Sequence, residues 1–363
     1  MGEREEQFLT NAGASETAAE AQGLASENKD EAESVAEAKL TNESEGFAGG
    51  KTFAATGERK DDFRSGYAVI IGRPNVGKST LMNHLIGQKI AITSRKPQTT
   101  RGRIETVLTT DAGQVIFLDT PGMLRKAGNK LGEYLMDVSK TTLADADVVL
   151  WLVEPKPYAG EGDKEIAELL KKSGRPVILV VNKADTVEKK SVGEAIEVFE
   201  KLLAPSETVA VSALRGQNLD ELLAAIFRHL PKGPLYYDEE TVTNEPLRDL
   251  AAEIIREKAL RALNEEVPHG IAVLIDTYKE RDERLTDIEA SIVCEKASHK
   301  GIIIGKSGTM LKKIGQAARI DIEELTGKKV FLKLFVKVRK NWRDNEGELR
   351  SFGYDKRKHG RKD

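Results

Sequence analysis

The sequence predicts two folded domains in succession, a doubly wound parallel sheet of the α/β class and then a smaller α+β domain. Residues 64–231 alternate apolar strand segments with helical patterns, which is typical of a parallel sheet covered by helices. Residues 247–338 follow the order helix, strand, strand, short helix, helix, strand. Residues 1–62 are rich in Ala, Glu, Ser and Gly and poor in aromatic residues, so we expect this acidic extension to be disordered.

Apolar runs and turn residues set the predicted boundaries. In the first domain, strands are expected at 67–71, 104–110, 114–119, 147–153, 176–181 and 207–211. The turn Thr110-Asp-Ala-Gly113 predicts a hairpin, so one edge strand should run antiparallel. In the second domain, helices are expected at 247–264 and 309–325, and strands at 270–279, 287–296 and 329–338. The predicted division is an extension at 1–62, a first domain at 63–231, a linker at 232–246, a second domain at 247–345 and a basic tail at 346–363.

The formal net charge of −3 hides an uneven distribution along the chain. Residues 1–50 hold 12 acidic and 3 basic residues, a net charge of −9. Residues 296–363 hold 19 Lys and Arg against 8 Asp and Glu, a net charge of +11. The C-terminal part is therefore where we expect a polyanion such as a nucleic acid to bind.

Several classes of protein are excluded by composition. The single cysteine, Cys294, excludes an intramolecular disulfide and any zinc site built from several cysteines. No apolar run approaches the length of about 20 residues that a transmembrane helix needs. The acidic N-terminus fits neither a secretory signal nor an Arg-rich transit peptide. We expect a monomer in the cytoplasm.

One segment fits the phosphate-loop pattern G-x-x-x-x-G-K-S/T and lies between an apolar strand and a helix. It consists of Gly72, Arg73, Pro74, Asn75, Val76, Gly77, Lys78 and Ser79, and Thr80 follows it. Glycines allow the backbone to close around phosphate oxygens, and the helix N-terminus favours negative charge. Lys78 is expected to reach the terminal phosphates, and the Ser79 hydroxyl to bind Mg²⁺.

Two further motifs follow the phosphate loop in order, each after an apolar strand. Asp119-Thr120-Pro121-Gly122 offers a carboxylate for a water-mediated contact with Mg²⁺ and, at Gly122, a backbone N–H for the γ-phosphate. Asn182-Lys183-Ala184-Asp185 offers a carboxylate that can accept from the adjacent N1–H and N2–H₂ donors of guanine. Ser212-Ala213 adds a backbone N–H for guanine O6. The three motifs together predict a GTP/GDP site.

The second domain carries a Gly-x-x-Gly loop between two predicted helices, formed by Gly305, Lys306, Ser307 and Gly308. This loop in this order of elements resembles a K-homology (KH) domain of the second topology. Its glycines permit close approach of a nucleic-acid backbone, and Lys306 attracts phosphate. Further candidate RNA contacts are Lys312, Lys333 and Lys337.

The last predicted strand has two different faces. Its aliphatic face should lie in the core, whereas Phe331, Lys333, Phe335 and Lys337 alternate on the other. That second face suits bases stacked beside a phosphate track. It fits equally well a solvated face whose phenylalanines pack against a neighbouring element.

The chain resembles the Era family of ribosome-associated GTPases over about residues 64–355. Besides the nucleotide motifs, the resemblance is carried by Thr93-Ser-Arg-Lys-Pro-Gln-Thr-Thr100-Arg101, by Glu266-Val-Pro-His-Gly270 and by the loop at 305–308. It implies GTP hydrolysis, binding to ribosomal RNA near the 3′ end of the small-subunit RNA, and a role in maturation of the small ribosomal subunit. It also permits peripheral contact with the inner face of the cell membrane. It favours Thr100 as the second Mg²⁺ ligand, with Thr99 as the alternative.

The expected catalytic residues are Lys78, Thr100, Gly122 and Asn75. Many GTPases place a water-positioning glutamine directly after the Asp-x-x-Gly turn, but here that position is Met123. Either another side chain positions the water, or turnover is slow and Asn75 helps to hold a K⁺ ion near the phosphates. Asn75 stands where related potassium-activated GTPases carry their ligand.

Combining a nucleotide site with an RNA-type module predicts a switch, in which GTP and GDP change how the second domain is presented to RNA. Two alternatives remain at this level. One is an RNA-binding scaffold in which nucleotide is merely structural. The other is a nucleotide-metabolising phosphate-loop enzyme, for which no acceptor-substrate residues are evident.

Overall fold

The computed structural model describes residues 62–91, 104–120, 128–264 and 267–354. Its first domain contains β1 (Arg64–Gly72), α1 (Lys78–Ile86), β2 (Ile104–Thr110), β3 (Gly113–Asp119), α2 (Lys130–Ala144), β4 (Val148–Val153), α3 (Glu161–Ser173), β5 (Val177–Val181), α4 (Lys189–Leu202), β6 (Glu207–Ala210) and α5 (Leu219–His229). The second contains α6 (Leu247–Ala262), β7 (Ala272–Glu280), β8 (Leu285–Cys294), α7 (Ala297–Ile304), α8 (Thr309–Thr326), β9 (Lys329–Val338) and α9 (Glu346–Ser351).

In the described part of the first domain, six strands form one sheet in the order β2-β3-β1-β4-β5-β6. β2 and β3 are antiparallel, which confirms the predicted hairpin, and the other neighbours are parallel. Along the central β1, Ala68 and Ile70 belong to one buried cluster, whereas Val69 and Ile71 belong to the cluster on the opposite face. The sheet is therefore covered on both faces, as the continuous apolar runs predict.

The parallel register brings the predicted motif residues to one edge of this sheet. Gly72, Asp119 and Asn182 follow or end β1, β3 and β5, which all point in the same direction. In an open α/β sheet, ligands bind beyond the carboxyl ends of the strands. This edge is therefore the candidate nucleotide site.

The second domain has a three-stranded sheet in the order β7-β8-β9, with β7 and β8 antiparallel and β8 and β9 parallel. Buried residues of α6, α7 and α8 form one apolar cluster with the inner face of this sheet. β8 begins two residues before its predicted start because Leu285 and Thr286 pair with Lys329 and Val330 of β9. β7 begins later than predicted because Gly270 ends a short 3-10 turn.

The segment that joins the two domains packs along β2, the edge strand of the first sheet. Val242 accepts a hydrogen bond from the backbone of Val107 at 2.8 Å, and Thr243 bridges to Thr106 in an antiparallel pairing. The Thr243 hydroxyl also donates to the Glu105 carbonyl at 2.7 Å. This pairing occupies backbone groups of β2 that β3 does not use.

The C-terminal part of the second domain packs on α2 of the first. Trp342 is fully buried in an apolar cluster that includes Leu131, Tyr134, Leu135 and Val138 of α2. Its Nε1–H donates to the Gly270 carbonyl at 3.0 Å. Residues that the sequence assigned to a basic tail thus include α9, whose Leu349 joins the same cluster. Lys356 to Lys362 and residues 1–61 of the predicted disordered extension lie outside the described residues.

Among the described residues, no helix combines the length and the apolar composition needed to cross a bilayer.

The linker also supplies a pH-dependent contribution to stability. Burial, followed by the nearby Asp249 carboxylate, raises the pKa of Glu245 from 4.5 to about 7, although a hydrogen bond from the Glu105 backbone opposes this shift. Because the folded pKa lies above the ordinary value, ionisation of Glu245 destabilises the fold increasingly as the pH rises through this range. Glu245→Gln should therefore raise the free energy of unfolding near pH 8 by roughly 1–2 kcal/mol, after discounting for partial exposure, and change it little near pH 5.

Urea unfolding at the two pH values measures this difference. Glu240→Gln serves as the control because Glu240 is exposed in the same linker. A gain for Glu245→Gln that did not depend on pH would contradict the role assigned to this half-buried carboxyl.

Candidate nucleotide site and RNA-binding loop

The phosphate loop has a backbone that only particular residues tolerate. Gly77 has φ of 104°, and a Cβ placed there would lie 2.2 Å from Asn182 Nδ2. Asn75 also lies in the left-handed region, with φ of 66°. Asn is among the few non-glycine residues that adopt this region readily. The loop therefore requires glycine at 77 for space as well as for conformation.

Lys78 is the buried cation of this loop. Its Nζ donates to the carbonyls of Gly72 and Arg73, both at 3.1 Å. Burial lowers the pKa of Lys78 to about 8, and the nearby Asp119 carboxylate partly opposes that shift. A phosphate anion would stabilise the charged ammonium, so the site favours a ligand with a negatively charged terminus.

The side-chain oxygens of Ser79 and Asp119 lie side by side. The Ser79 hydroxyl donates to Asp119 Oδ2 at 3.2 Å, and Asp119 is fully buried at the end of β3. The Thr120 hydroxyl donates to the Ile70 carbonyl at 2.8 Å and ties Thr120 to β1. Hydroxyl and carboxylate oxygens are the ligands that Mg²⁺ prefers, so this pair fits a magnesium-bound phosphate chain.

Asn182 joins the phosphate loop to the loop that follows β6. Its Nδ2 donates to the Val76 carbonyl at 2.8 Å, and its Oδ1 accepts from the Ala213 N–H at 2.9 Å. Its side chain is 2% exposed. Lys183, with φ of 64°, donates through Nζ to the Asn75 carbonyl at 2.8 Å. The first two residues of the Asn-Lys-Ala-Asp motif thus fix the phosphate loop.

Asp185 lies beside Ser212, the residue that precedes Ala213. A hydrogen bond from the Ser212 side chain, and then one from Arg215, hold the pKa of Asp185 below its usual value despite partial burial. Arg215 Nε is 3.2 Å from Asp185 Oδ2, and the Arg215 N–H donates to Ser212 Oγ. The carboxylate is therefore ionised and oriented as an acceptor, which is what guanine N1–H and N2–H₂ require.

A charged network beside the phosphate loop was not identified from the sequence. Glu154 directly follows β4 and contacts Lys183 at 2.5 Å and Lys156 at 2.7 Å. Arg73 pairs with the buried Asp163 at 2.8 Å and lies 3.9 Å from Glu154. The sequence feature that could have indicated Glu154 as a site residue is its position directly after the apolar strand β4.

The structure brings most of the predicted nucleotide residues to one edge of the sheet. These are Gly72, Arg73, Pro74, Asn75, Val76, Gly77, Lys78, Ser79, Thr80, Asp119, Thr120, Asn182, Lys183, Asp185, Ser212 and Ala213. Thr99, Thr100, Pro121, Gly122 and Met123 lie outside the described residues. Within the described ranges, no group of three or more His, Cys, Asp or Glu side chains is arranged to hold a metal ion.

The Gly-x-x-Gly loop forms a tight turn before α8. Gly305 and Gly308 have φ of 75° and 80°, and Ser307 also has a positive φ of 52°. A Cβ at Gly305 would lie 2.8 Å from the backbone nitrogen of Met310, so this glycine lets the chain fold closely. Lys306 lies within this turn, and Gly308 is the N-cap of α8.

Next to the loop, α8 and β9 enclose an open groove of about 360 Å³. It is lined by Gly308, Leu311, Lys312, Gly315, Gln316, Arg319, Leu332 and Leu334. The groove has an apolar floor and two basic side chains, a composition that suits an unstacked base with its phosphate. The structure thus groups the predicted Lys312 with the Gly-x-x-Gly loop.

Lys333 and Lys337 lie on the other face of β9. Lys333 pairs with Glu289 and Lys337 with Asp276, each at 3.0 Å. Phe331 and Phe335 on the same face are about half exposed, so within the described residues these phenylalanines are not packed into a core. The aliphatic face is the core face, as predicted. RNA binding by the two lysines stays a prediction.

The comparisons with protein families match both domains. Residues 67–183 match the model of a family described as 50S ribosome-binding GTPase, and residues 266–343 match the model of the KH domain. These ranges contain the phosphate loop and the Gly-x-x-Gly loop, respectively.

Curated relatives match the chain along almost their entire length. GTPase Era of Caldanaerobacter subterraneus is 54% identical over 293 residues, which cover 80% of this chain and 98% of the relative. GTPase Era of Clostridium perfringens is 49% identical over 296 residues, which cover 82% of this chain and 100% of the relative.

Solved structures agree with these relatives. A crystal structure of Era in complex with MgGDPNP and nucleotides 1506–1542 of 16S ribosomal RNA is 41% identical, with a TM-score of 0.77, covering 80% of this chain and 99% of that one. A variant of Aquifex aeolicus Era bound to GDP and AlF4⁻ is 41% identical with a TM-score of 0.78 and the same coverage. Given the identity, the coverage and the two matching domains, the chain belongs to the Era family of GTPases.

Proposed function

We propose that the protein is a GTP-hydrolysing switch that binds small-subunit ribosomal RNA near its 3′ end and assists maturation of the small ribosomal subunit. The observation that carries this proposal is one chain with a guanine-type site around Asp185 and a KH groove beside Gly308. The similar structure of Era holds MgGDPNP and a segment of 16S ribosomal RNA together, which supports the same pair of ligands here.

Base selection rests on Asp185. Its ionised carboxylate accepts from the paired donors of guanine, whereas adenine offers no such pair and would leave a charged acceptor unsatisfied. Ser212 and Arg215 hold the carboxylate from the side, so it is oriented before the nucleotide binds. The Ala213 N–H, which the sequence assigned to guanine O6, donates to Asn182 Oδ1 in this structure, so binding of O6 would have to share or displace that hydrogen bond.

Phosphate binding rests on the loop from Gly72 to Ser79. When nucleotide binds, Lys78 exchanges its two carbonyl partners for phosphate oxygens. Its ammonium then neutralises the part of the phosphate charge that the N–H groups of the loop leave unbalanced. Ser79, with Asp119 through water, would hold Mg²⁺, and Thr100 would complete the set. Bound Mg²⁺ supplies charge neutralisation on the β- and γ-phosphates.

Hydrolysis needs positioning and electrostatics more than covalent chemistry. With methionine at 123, the chain lacks a glutamine directly after the Asp-x-x-Gly turn, so we expect slow intrinsic turnover. Asn75 is exposed in the phosphate loop, and Lys183 fixes its carbonyl. We propose its side-chain oxygen as a ligand for K⁺ near the phosphates, as in related potassium-activated GTPases.

RNA binding rests on the groove between α8 and β9. Lys306 and Lys312 attract phosphate beside the loop, and Leu332 and Leu334 form the apolar floor. The partner would be the small ribosomal subunit, and we expect a monomer to bind it. A passive scaffold would not need the oriented Asp185, and a nucleotide-metabolising enzyme would need an acceptor site.

Asp185→Asn tests base selection. Loss of the anionic acceptor should weaken GDP binding by about 100-fold and remove the preference for GTP over ATP, since it weakens two charge-assisted hydrogen bonds. Displacement of a fluorescent GDP analogue by each nucleotide measures both quantities. Asp238→Asn, an exposed change in the linker, is the control. An unaltered base preference in Asp185→Asn would refute the assignment.

Asn75 can be tested by exchanging the monovalent cation. GTP hydrolysis should be faster in KCl than in NaCl, and Asn75→Ala should remove that gain because the side-chain oxygen is lost. Asn75→Gly should behave likewise without strain at the positive φ, whereas Asn75→Asp keeps an oxygen and should retain the gain. Equal wild-type rates in the two salts would exclude the potassium site.

The switch itself is tested by RNA affinity in two nucleotide states. An RNA of nucleotides 1506–1542 of 16S ribosomal RNA should bind more tightly with GDPNP than with GDP, by about 5- to 150-fold. Fluorescence anisotropy of the labelled RNA measures the ratio. Equal affinities would refute the switch.

The RNA-affinity assay, combined with a measurement of small-subunit maturation in cells that depend on the variant, distinguishes the switch from the scaffold. Lys78→Ala removes the ammonium that binds phosphate, so it should retain basal RNA affinity but lose support of small-subunit maturation. A scaffold would keep both.

A further inference from the structure

Lys89 of the first domain lies among charged side chains of the second. Its Nζ is 2.9 Å from Glu257 Oε2 of α6 and also pairs with Asp321 of α8. Glu257 is fully buried, Asp321 is 15% exposed and Lys89 is 26% exposed. The contact is thus a largely desolvated charge cluster between the domains, unlike a solvated ion pair on the surface.

Within the second domain, each of the two carboxylates also pairs with another basic side chain. Lys258 Nζ is 2.6 Å from Asp321, and Arg261 is 2.7 Å from Glu257. Burial alone would lower the pKa of Lys89, but Glu257 and Asp321 outweigh it and raise that pKa. Removing the Lys89 charge would therefore leave each carboxylate with a cation, and the second domain should still fold.

Lys89 is attached firmly to α1, the helix that begins at the phosphate loop. Asn83 of α1 is fully buried, and its Oδ1 accepts from the N–H groups of Ile90 and Ala91 at 3.1 and 2.7 Å. Its Nδ2 donates to the Ala91 carbonyl at 2.6 Å. The backbone around Lys89 is thus held by the helix, and a displacement of α1 carries Lys89 with it.

The two helices linked by Lys89 each begin at a ligand-binding loop. α1 begins with Lys78 and Ser79, and α8 begins directly after the Gly-x-x-Gly loop. Toward their C-terminal ends they share one apolar cluster that includes Ile86, Ile90 and Leu325. The ion pair between Lys89 and Asp321 joins the helices at that end.

We propose that Lys89 is a positioning residue that couples nucleotide state at the phosphate loop to RNA affinity at the Gly-x-x-Gly loop, through Glu257 and Asp321. The inference rests on the proposed switch and names its route. A desolvated ammonium held by two carboxylates tolerates little displacement, because moving it away would leave buried charge less well paired. A shift of α1 must therefore either move α8 or break the cluster.

Lys89→Met tests this route while keeping the apolar stem. The probe is the RNA of nucleotides 1506–1542, titrated in the GDPNP and GDP states of the full chain. We expect GDP affinity to stay within about twofold of wild type and the ratio of RNA affinities to fall to about one. By linkage, the effect of RNA on GDPNP affinity should fall by the same factor. Lys89→Arg keeps the charge and should retain most of the ratio.

Lys164→Met is the matched control, because Lys164 forms an ion pair with Glu161 at 3.0 Å on the surface of the first domain. It should leave the ratio unchanged. A merely structural defect in Lys89→Met would weaken RNA binding equally in both states and leave the ratio intact, which would overturn the inference.

The outcomes separate the two proposals. If wild type shows a ratio near one, the switch fails and this route fails with it. If wild type binds RNA more tightly with GDPNP than with GDP and Lys89→Met shows the same ratio, the switch stands and only the coupling through Lys89 is wrong.

Discussion

The nucleotide site depends on the buried amide of Asn182. This one side chain donates to the phosphate loop at Val76 and accepts from the base loop at Ala213, so two hydrogen bonds fix the distance between segments far apart in sequence. Because the amide is almost fully buried, losing either bond would leave a polar group unsatisfied. Gly77 completes the arrangement, since any Cβ there would collide with the amide. Phosphate binding and base selection are therefore parts of one assembly.

The second domain contacts the first at two places. The backbone after α1 carries Lys89 and Ile90 into contacts with α6 and α8, and α2 packs against the buried Trp342. One contact is dominated by desolvated charge and the other by aromatic packing. The charge cluster fixes the relative orientation of the contacting helices, whereas the buried apolar area supplies most of the free energy that stabilises the contact between the domains. The interface therefore combines a contact that orients the domains with one that stabilises their packing.

The sequence predicted those features whose signals are local. Apolar runs located the strands, and the spacing of Lys78, Asp119 and Asp185 after strand ends predicted a single edge. The alternation along β9 identified its core face but not the partners of Lys333 and Lys337, which lie on other strands. Glu154, Lys89 and the packing of α9 were missed because pairing between distant segments leaves no periodicity along the chain.

The segment before α6 does more than connect two domains. By pairing Val242 and Thr243 with the outer strand of the first sheet, it caps a row of backbone donors and acceptors that would otherwise be open to a foreign strand. Detaching this segment from the first domain would expose the backbone groups of β2, with which a strand of another molecule could then pair. Large excursions of the second domain therefore carry a risk of self-association, which favours small rotations about an intact connection over full separation.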